Sequence, residues 1–460
     1  MCYSMLTEVC NMFTYVKLKN FLSFGEVTFD FKQKANIAKK FVSIYGENGS
    51  GKSNFVRSID LLCHTLFSFD RANKTAEIED LLKNSETQAP IEILNRLIED
   101  GDIQKYIAAC RMIDCDEPTE VEYGFLLNGR EGYYRLKFSD KFSEETLYYF
   151  TGKQRGVLFS LSTNGEDDII TERSWSGLYL DLKAREEMQE DISKYWGKHT
   201  FLGILMQQIN SRNAKYIRES FSEYLLDVVN LFWDTTVISK KSNHHNTGII
   251  SKKPCNVLDN LRSGKISKSQ LPQLECSERI LRDFFTQTYA DIKDVVYEKE
   301  IIDGEKIKYS LYVDKMIAGK SRHISFENES AGTQQILDIV KMLLGLFCGV
   351  TVVYDEIDDG IHDILLNNII HSLVGEISGQ LIITTHNTLL LESISTHSAY
   401  VICVDHLGNK EVKCISEFGI QNNNNARIKY LKGMFGGTPY LDGIDYDAIL
   451  EELEDVTEVQ

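Results

Sequence analysis

Eight consecutive residues, Gly46-Glu47-Asn48-Gly49-Ser50-Gly51-Lys52-Ser53, set three glycines, a lysine and a hydroxyl at the spacing that cradles a phosphate chain. Glycines at these positions let the backbone turn sharply, so that consecutive N–H groups converge on phosphate oxygens at the positive end of a following helix. Lys52 then reaches the β- and γ-phosphates, and Ser53 offers its hydroxyl to Mg²⁺, a cation that takes oxygen ligands in octahedral geometry. Gly46, Asn48, Gly49, Ser50, Gly51, Lys52, Ser53 and Asn54 form the candidate nucleotide-binding set.

About three hundred residues later the run Gly349-Val350-Thr351-Val352-Val353-Tyr354 ends in two carboxylates, Asp355-Glu356. Two acids at a strand tip need a cation or a water to act on. Asp355 suits the Mg²⁺ shell, and Glu356 suits polarising a water that attacks a γ-phosphate. A second apolar run, Leu381-Ile382-Ile383-Thr384-Thr385, ends at His386, which is placed to hydrogen-bond the γ-phosphate and that water. Lys52, Glu356 and His386 are the candidate catalytic residues, and Ser53 with Asp355 the candidate metal ligands. Between the two halves, Glu329-Ser330-Ala331-Gly332-Thr333 opens an amphipathic stretch and reads as a second anion-binding helix start. Its own chain already has a complete phosphate loop, so Ser330 and Gly332 are expected to close on the nucleotide of a second copy, making a homodimer or higher oligomer around ATP.

These groups need strands and helices to carry them. Phe41–Tyr45 is a short β-branched and apolar run that reads as a buried strand, and Asn54–Leu62 has helical spacing of apolar positions. Val121–Leu127 and Tyr133–Phe138 alternate like strands and are joined through Asn128-Gly129, a hairpin turn signal, which places them in a β-subdomain. Helical patches are expected at Ala76–Leu82 and Ile91–Ile98, and a helical region from about Leu178 to Phe285 with a polar break at Ser239–Pro254. No sustained heptad runs through that region, so a long coiled coil is not expected. The division expected is an N-terminal lobe at 1–175, a helical insertion at 176–290, a C-terminal lobe at 291–435 and an acidic tail at 436–460.

The order of phosphate loop, Ser-x-Gly helix start, Asp-Glu strand and strand plus His resembles that of ATP-binding-cassette-class ATPases, in the soluble branch with RecF, chromosome-maintenance and OLD-type ATPases. Val16-Lys17-Leu18-Lys19-Asn20-Phe21-Leu22-Ser23-Phe24 is similar to the strand that opens such domains. Three further stretches resemble the compact AAA-type ATPases of bacterial phage-defence and abortive-infection systems, such as the PARIS ATPase. They are Glu329–Thr333, Ile357-Asp358-Asp359-Gly360-Ile361-His362 and Tyr430–Pro439. His362 stands where transporters and chromosome proteins usually carry an aspartate that communicates across the dimer. The resemblance implies an α/β fold: an ABC-type P-loop head with a mixed central sheet flanked by helices and a β-subdomain, here with a helical insertion. It also implies ATP and Mg²⁺ as ligands. A glutamine linking the nucleotide to the rest of the molecule is not identifiable near Pro118–Tyr123.

With 460 residues, 43% of them hydrophobic and 26% charged, the chain has room for a large core. Its longest apolar run, Met342–Tyr354, is too short to span a bilayer, and no secretory signal opens the chain, so a cytoplasmic location is expected. Ten cysteines without a Cys-x-x-Cys pair are expected to be reduced thiols, and His244-His245 to lie in a surface loop. A net charge of −18 disfavours strong nonspecific DNA binding. Lys240, Lys241, Lys252 and Lys253 leave a local basic loop open, as solvated surface or as a DNA contact. The segment after Gly436 carries eight acids and no base, as solvated tail or as a docking strip for a basic partner. Seventy-four residues follow His386, too few for a metal-dependent Toprim nuclease domain, so effector chemistry is expected in another polypeptide. The leading expectation is an ATPase that senses or scaffolds in anti-phage defence and controls a separate effector, a nuclease or toxin. The alternatives are a RecF-like repair or chromosome ATPase acting directly on DNA, and a nucleotide-gated scaffold with negligible turnover.

Overall fold

A computed structural model describes residues 11–34, 37–73, 75, 102–150, 156–163, 169–171, 178–239, 257–419, 425–438, 446–447 and 449–450. Three sheets dominate it. The first is antiparallel, with strands in the order β10-β9-β8-β7-β6-β1-β2: β1 (Met12–Phe21), β2 (Phe24–Asp30), β6 (Thr119–Leu127), β7 (Arg130–Phe138), β8 (Phe142–Tyr149), β9 (Val157–Thr163) and β10 (Ile169–Thr171). The second is the central sheet, in the order β11-β16-β17-β5-β18-β19. It is built from β5 (Phe41–Tyr45), β11 (Thr235–Ile238), β16 (Thr351–Tyr354), β17 (Gln380–Thr384), β18 (Ala399–Val404) and β19 (Lys410–Cys414). Its strands are parallel except β19, which returns antiparallel on β18.

Helices cover both faces of that sheet, and its strands show why. In β16, Val353 enters one core while Val352 and Tyr354 enter the other; in β17, Ile382 faces the first and Leu381 and Ile383 the second. A parallel strand buried on both faces reads as a near-continuous apolar run, as Val352-Val353 and Leu381-Ile382-Ile383 do. The first core includes α1 (Lys52–Leu66), α4 (Phe201–Ser211) and α6 (Glu223–Trp233), together with the antiparallel sheet. The second includes α7 (Leu271–Thr288), α8 (Ala331–Phe347) and α9 (Asp363–Leu373). Gln380, fully buried at the base of β17, ties the lobes together: its carbonyl accepts from Phe13 N–H (2.9 Å), and its amide donates to Phe13 O and Lys39 O (2.9 Å each).

The Asn128-Gly129 hairpin is present, with Leu127 paired to Arg130 and both turn residues at positive φ, 51° and 71°. It belongs to the antiparallel sheet, through β6 paired with β1. The helical patches expected at Ala76–Leu82 and Ile91–Ile98 lie outside the described residues, as do His244-His245 and most of the polar break.

Residues 176–290, expected to form a helical insertion, do carry α3 (Leu182–Tyr195), α4, α5 (Ala214–Ser220), α6 and α7. They also supply β11 to the central sheet and β12 (Ser263–Ser267) to a third sheet with β13 (Ile292–Asp303), β14 (Lys306–Ile317) and β15 (Lys320–Ser325). The segment is therefore woven into the head rather than set beside it. β11 is only four residues long and follows a helix directly; its strand state depends on parallel pairing with β16, a partner more than a hundred residues away. The expectation of uniformly reduced cysteines also needs correction, because Cys348 is disulfide-bonded, while Cys63, Cys110, Cys115, Cys276, Cys403 and Cys414 are thiols outside any disulfide.

Glu145 of β8 is fully buried where the antiparallel sheet meets the helices. Its carboxylate accepts from Tyr134 OH (2.8 Å), Trp196 Nε1 (2.9 Å) and the N–H groups of Phe201 (2.5 Å) and Leu202 (3.2 Å) at the start of α4. Burial nevertheless outweighs these donors and pushes its carboxyl up to about 7. As pH rises past the ordinary carboxylate range the unfolded chain ionises first, so stability is lost until the native carboxyl also ionises near 7. Urea unfolding from pH 5 to pH 8 is expected to show wild type losing up to about 3 kcal/mol relative to Glu145→Gln, which lacks the titrating group.

Candidate functional site

Parallel strands β5, β17 and β16 lie side by side, so their C-terminal ends share one edge of the sheet. That edge brings together the loop after Tyr45, His386 after Thr384, and Asp355-Glu356 after Tyr354. Ligands bind at this edge in open α/β sheets because the strand ends, loops and helix N-termini converge there.

The loop is shaped by glycine. Gly49 and Gly51 have φ of 83° and 112°, a region where a side chain is strained, and Gly51 caps α1. A Cβ on Gly46 would lie 2.5 Å from Ser50 Oγ. Gly437, from the Tyr430–Pro439 stretch, backs the loop: a Cβ there would come 3.4 Å from Gly46 Cα and 2.4 Å from Val401.

Lys52 is buried, and its ammonium donates to Gly46 O (2.8 Å) and Glu47 O (3.0 Å). Among the described residues no carboxylate lies within ion-pair distance of it. Burial lowers its pKa, while Glu356, Asp355, Asp358 and Glu47 pull the other way. Ser50 Oγ is buried beside it without a hydrogen-bond partner. A buried cation bonded only to carbonyls and an unsatisfied buried hydroxyl, in a glycine-shaped loop at the start of α1, suit an anion. These residues therefore fit the phosphate chain of a nucleotide. Ser53 sits in the first turn of α1 and Asp355 at the facing strand end; hydroxyl and carboxylate are the oxygen donors that Mg²⁺ takes.

The acidic end is organised by Thr384, a residue whose role the sequence pattern does not reveal. Its hydroxyl donates to Asp355 Oδ1 (2.6 Å) and accepts from Glu356 N–H (2.8 Å), so one side chain orients both acids. Ser239 Oγ lies 3.4 Å from Asp355 Oδ2. Asp355 is buried, while Glu356 is exposed and held at φ 51°. A left-handed glutamate costs on the order of 1 kcal/mol and aims the side chain away from the strand direction, out to where a water can reach it. Asp358 accepts from the His386 N–H through both oxygens (3.3 and 3.1 Å). Burial and the nearby Lys52 lower the His386 pKa against the pull of Asp358, Glu356 and Asp355, which favours a neutral imidazole.

Ser330 caps α8, accepting from Thr333 N–H (3.2 Å), and its side chain lies on the surface. Its hydrogen bonds remain within its own helix turn, with Thr333 Oγ1 at 2.9 Å. The first turns of α8 share a cavity of about 250 Å³ with Asp355 and Glu356. Gly332 has a reason inside the chain: a Cβ there would sit 2.4 Å from Gly360 O, in the loop that follows Glu356. Gly332→Ala must part helix and loop, at an expected cost of about 1–3 kcal/mol in urea unfolding. Because the displaced loop begins at Glu356, hydrolysis should fall while nucleotide affinity at the phosphate loop is kept, as equilibrium binding would show.

Among the described residues no cluster of three or more His, Cys, Asp or Glu could hold a metal ion by itself, and no helix is long and apolar enough to cross a membrane. A family described as "AAA domain, putative AbiEii toxin, Type IV TA system" matches residues 41–392, which includes the loop, the acidic strand and His386. No curated protein matches the chain. Solved structures that align with it include the SMC head domain from Thermotoga maritima, at 14% identity over 88% of this chain and 98% of that one, with a TM-score of 0.37. An SmcHead bound to the C-winged helix domain of ScpA aligns at 15% identity over 87% and 97%, TM-score 0.43. An Smc head domain with an extended coiled coil, bound to the C-terminal domain of ScpA derived from Pyrococcus furiosus, aligns at 13% over 92% and 99%, TM-score 0.41.

Proposed function

The chain belongs to the AAA-domain family of the AbiEii-toxin description, and from that premise we propose that it binds ATP with Mg²⁺ and hydrolyses it to ADP and phosphate. One observation carries the reading: Lys52, buried without a carboxylate partner among the described residues, lies in the field of Asp355, Glu356 and Asp358 at one edge of the sheet. Lysine on one side and carboxylates on the other are what a γ-phosphate and an attacking water require.

Gly46–Ser53 and Asn54 hold the phosphates, and Lys52 neutralises charge on the β- and γ-oxygens. Ser53 and Asp355 would hold Mg²⁺, which when bound supplies further charge neutralisation. Glu356 accepts a proton from the water as its oxygen bonds to the γ-phosphorus; the bond to the β-phosphate oxygen breaks and ADP leaves with the electron pair. A neutral His386 can hydrogen-bond the γ-phosphate or that water. Ser330 and Gly332 of a second copy close the site, and the surface position of the Ser330 cap supports this arrangement.

The biological role we propose is a sensor or scaffold in bacterial anti-phage defence, in which nucleotide state controls a separate effector. The family description, which names a toxin of a toxin–antitoxin system, supports it. Co-purification of the chain with the product of a neighbouring gene, together with ATPase activity unchanged by added DNA, is the expected outcome. DNA-stimulated activity that falls steeply with salt would favour direct action on DNA instead.

A further inference from the structure

Lys410 opens β19, about 360 residues beyond the phosphate loop in sequence, yet its ammonium reaches that loop. It donates to Gly49 O (3.1 Å) and to Ser23 Oγ (2.5 Å) in the turn between β1 and β2. Ser23 Oγ also accepts from Asn54 Nδ2 (2.6 Å), in the first turn of α1. A Cβ built on Gly51 would meet Phe24 Cζ at 2.7 Å and Lys410 Nζ at 3.3 Å, and the ammonium lies 5.4 Å from the Phe24 ring centroid. Lys410 thus presses on two of the loop's glycines from outside.

Among the described residues this ammonium has no carboxylate within ion-pair distance. Its pKa is lowered by burial alone, whereas Lys52 is also influenced by Glu356, Asp355 and Asp358. The two lysines hold different parts of the loop: Lys52 bonds to the carbonyls of Gly46 and Glu47, and Lys410 to that of Gly49, beside Gly51 and, through Ser23, the first turn of α1. A half-buried cation in a chain of net charge −18, holding only neutral oxygens, is poised for an anion.

We propose that Lys410 is a second nucleotide-binding cation, contacting the phosphate chain at its adenosine end, the α-phosphate, and that Ser23 and Asn54 position it. This rests on the ATP reading of the loop and deepens it. The contact is the same in ground state and transition state, so it contributes affinity and no rate. It also ties β19, the edge of the central sheet, to nucleotide occupancy.

The test is equilibrium binding of ATP and ADP, with kcat at saturating ATP, for wild type, Lys410→Met, Lys410→Gln and Lys410→Arg. Methionine keeps an aliphatic stem over Phe24 and removes the charge together with its hydrogen bonds to Gly49 and Ser23, glutamine keeps a donor without the charge, and melting of each variant without nucleotide reports on folding. Both neutral variants should weaken ATP and ADP by the same factor, about tenfold. Arginine should remain near wild type, and kcat should not change. Unaltered affinity in the neutral variants, or a loss confined to ATP, overturns the assignment, the latter by moving the contact to the γ-phosphate. If wild type binds no nucleotide, or Lys52→Ala binds as wild type does, the ATP reading itself fails. That outcome is distinct from failure at Lys410.

Discussion

Lys52→Ala is expected to reduce ATP and ADP affinity by at least about a hundredfold, as read by isothermal titration or fluorescent-nucleotide displacement. The lysine is buried with only the carbonyls of Gly46 and Glu47 as partners, so its ammonium is a desolvated charge available to the phosphates. Removing it leaves Asp355, Glu356 and Asp358 to repel an incoming polyphosphate with one cation fewer to offset them. The apo fold should tolerate the change. Alanine gives up a cation whose charged state burial already disfavours, and the loop carbonyls it leaves can turn to water. Retained melting temperature with lost binding is the pattern expected; retained binding would show that the loop does not hold phosphates.

Glu356→Gln is expected to leave ATP affinity within a few-fold of wild type and to lower the hydrolysis rate by about 10²–10³. Glutamine preserves shape and the Thr384 hydrogen bond, because that bond is to the Glu356 backbone N–H. It removes the proton acceptor and one negative charge near the γ-phosphate. ATP should therefore accumulate on the protein, and a state closed by two nucleotides should persist. Turnover at the wild-type rate would remove Glu356 from the proposed mechanism and point to Asp358 or His386, two further titratable groups at this edge.

Local features of this fold are legible in the chain because their causes are local. The phosphate loop is eight contiguous residues, and Asn128-Gly129 turns at positive φ because those residue types accept it. The apolar runs of β16 and β17 follow from burial on both faces. Features with distant causes were not legible. β11 exists through its pairing with β16; β14 alternates plainly, with Ile307, Tyr309, Leu311 and Val313 buried, but its pairing with β12, β13 and β15 into a separate sheet has no local signal. Within the site, the positions of Lys52, Asp355, Glu356 and His386 at one edge follow from strand-end motifs. Thr384 and Lys410 had no such signal, since a threonine in a strand and a lysine at a strand start are ordinary until the partners are seen. Gly332 carries a double meaning: the sequence suggests an anion loop, and the structure adds a close approach to Gly360 O.

That approach links two halves of the proposed cycle. A second copy's nucleotide at Ser330 and Gly332 would press on the loop that begins at Glu356, so each chain's acid would sense the other's ATP. The coupling needs no long pathway, because the two elements are in contact.

The central claim is a nucleotide site completed by a second copy, and the most direct test is the mass and nucleotide content of Glu356→Gln with Mg²⁺ and ATP, by light scattering and quantification of bound nucleotide on the same fraction. The account predicts a particle of twice the 52.6 kDa chain mass holding two ATP, reverting when Lys52→Ala is added. A 52.6 kDa particle holding one ATP would contradict it.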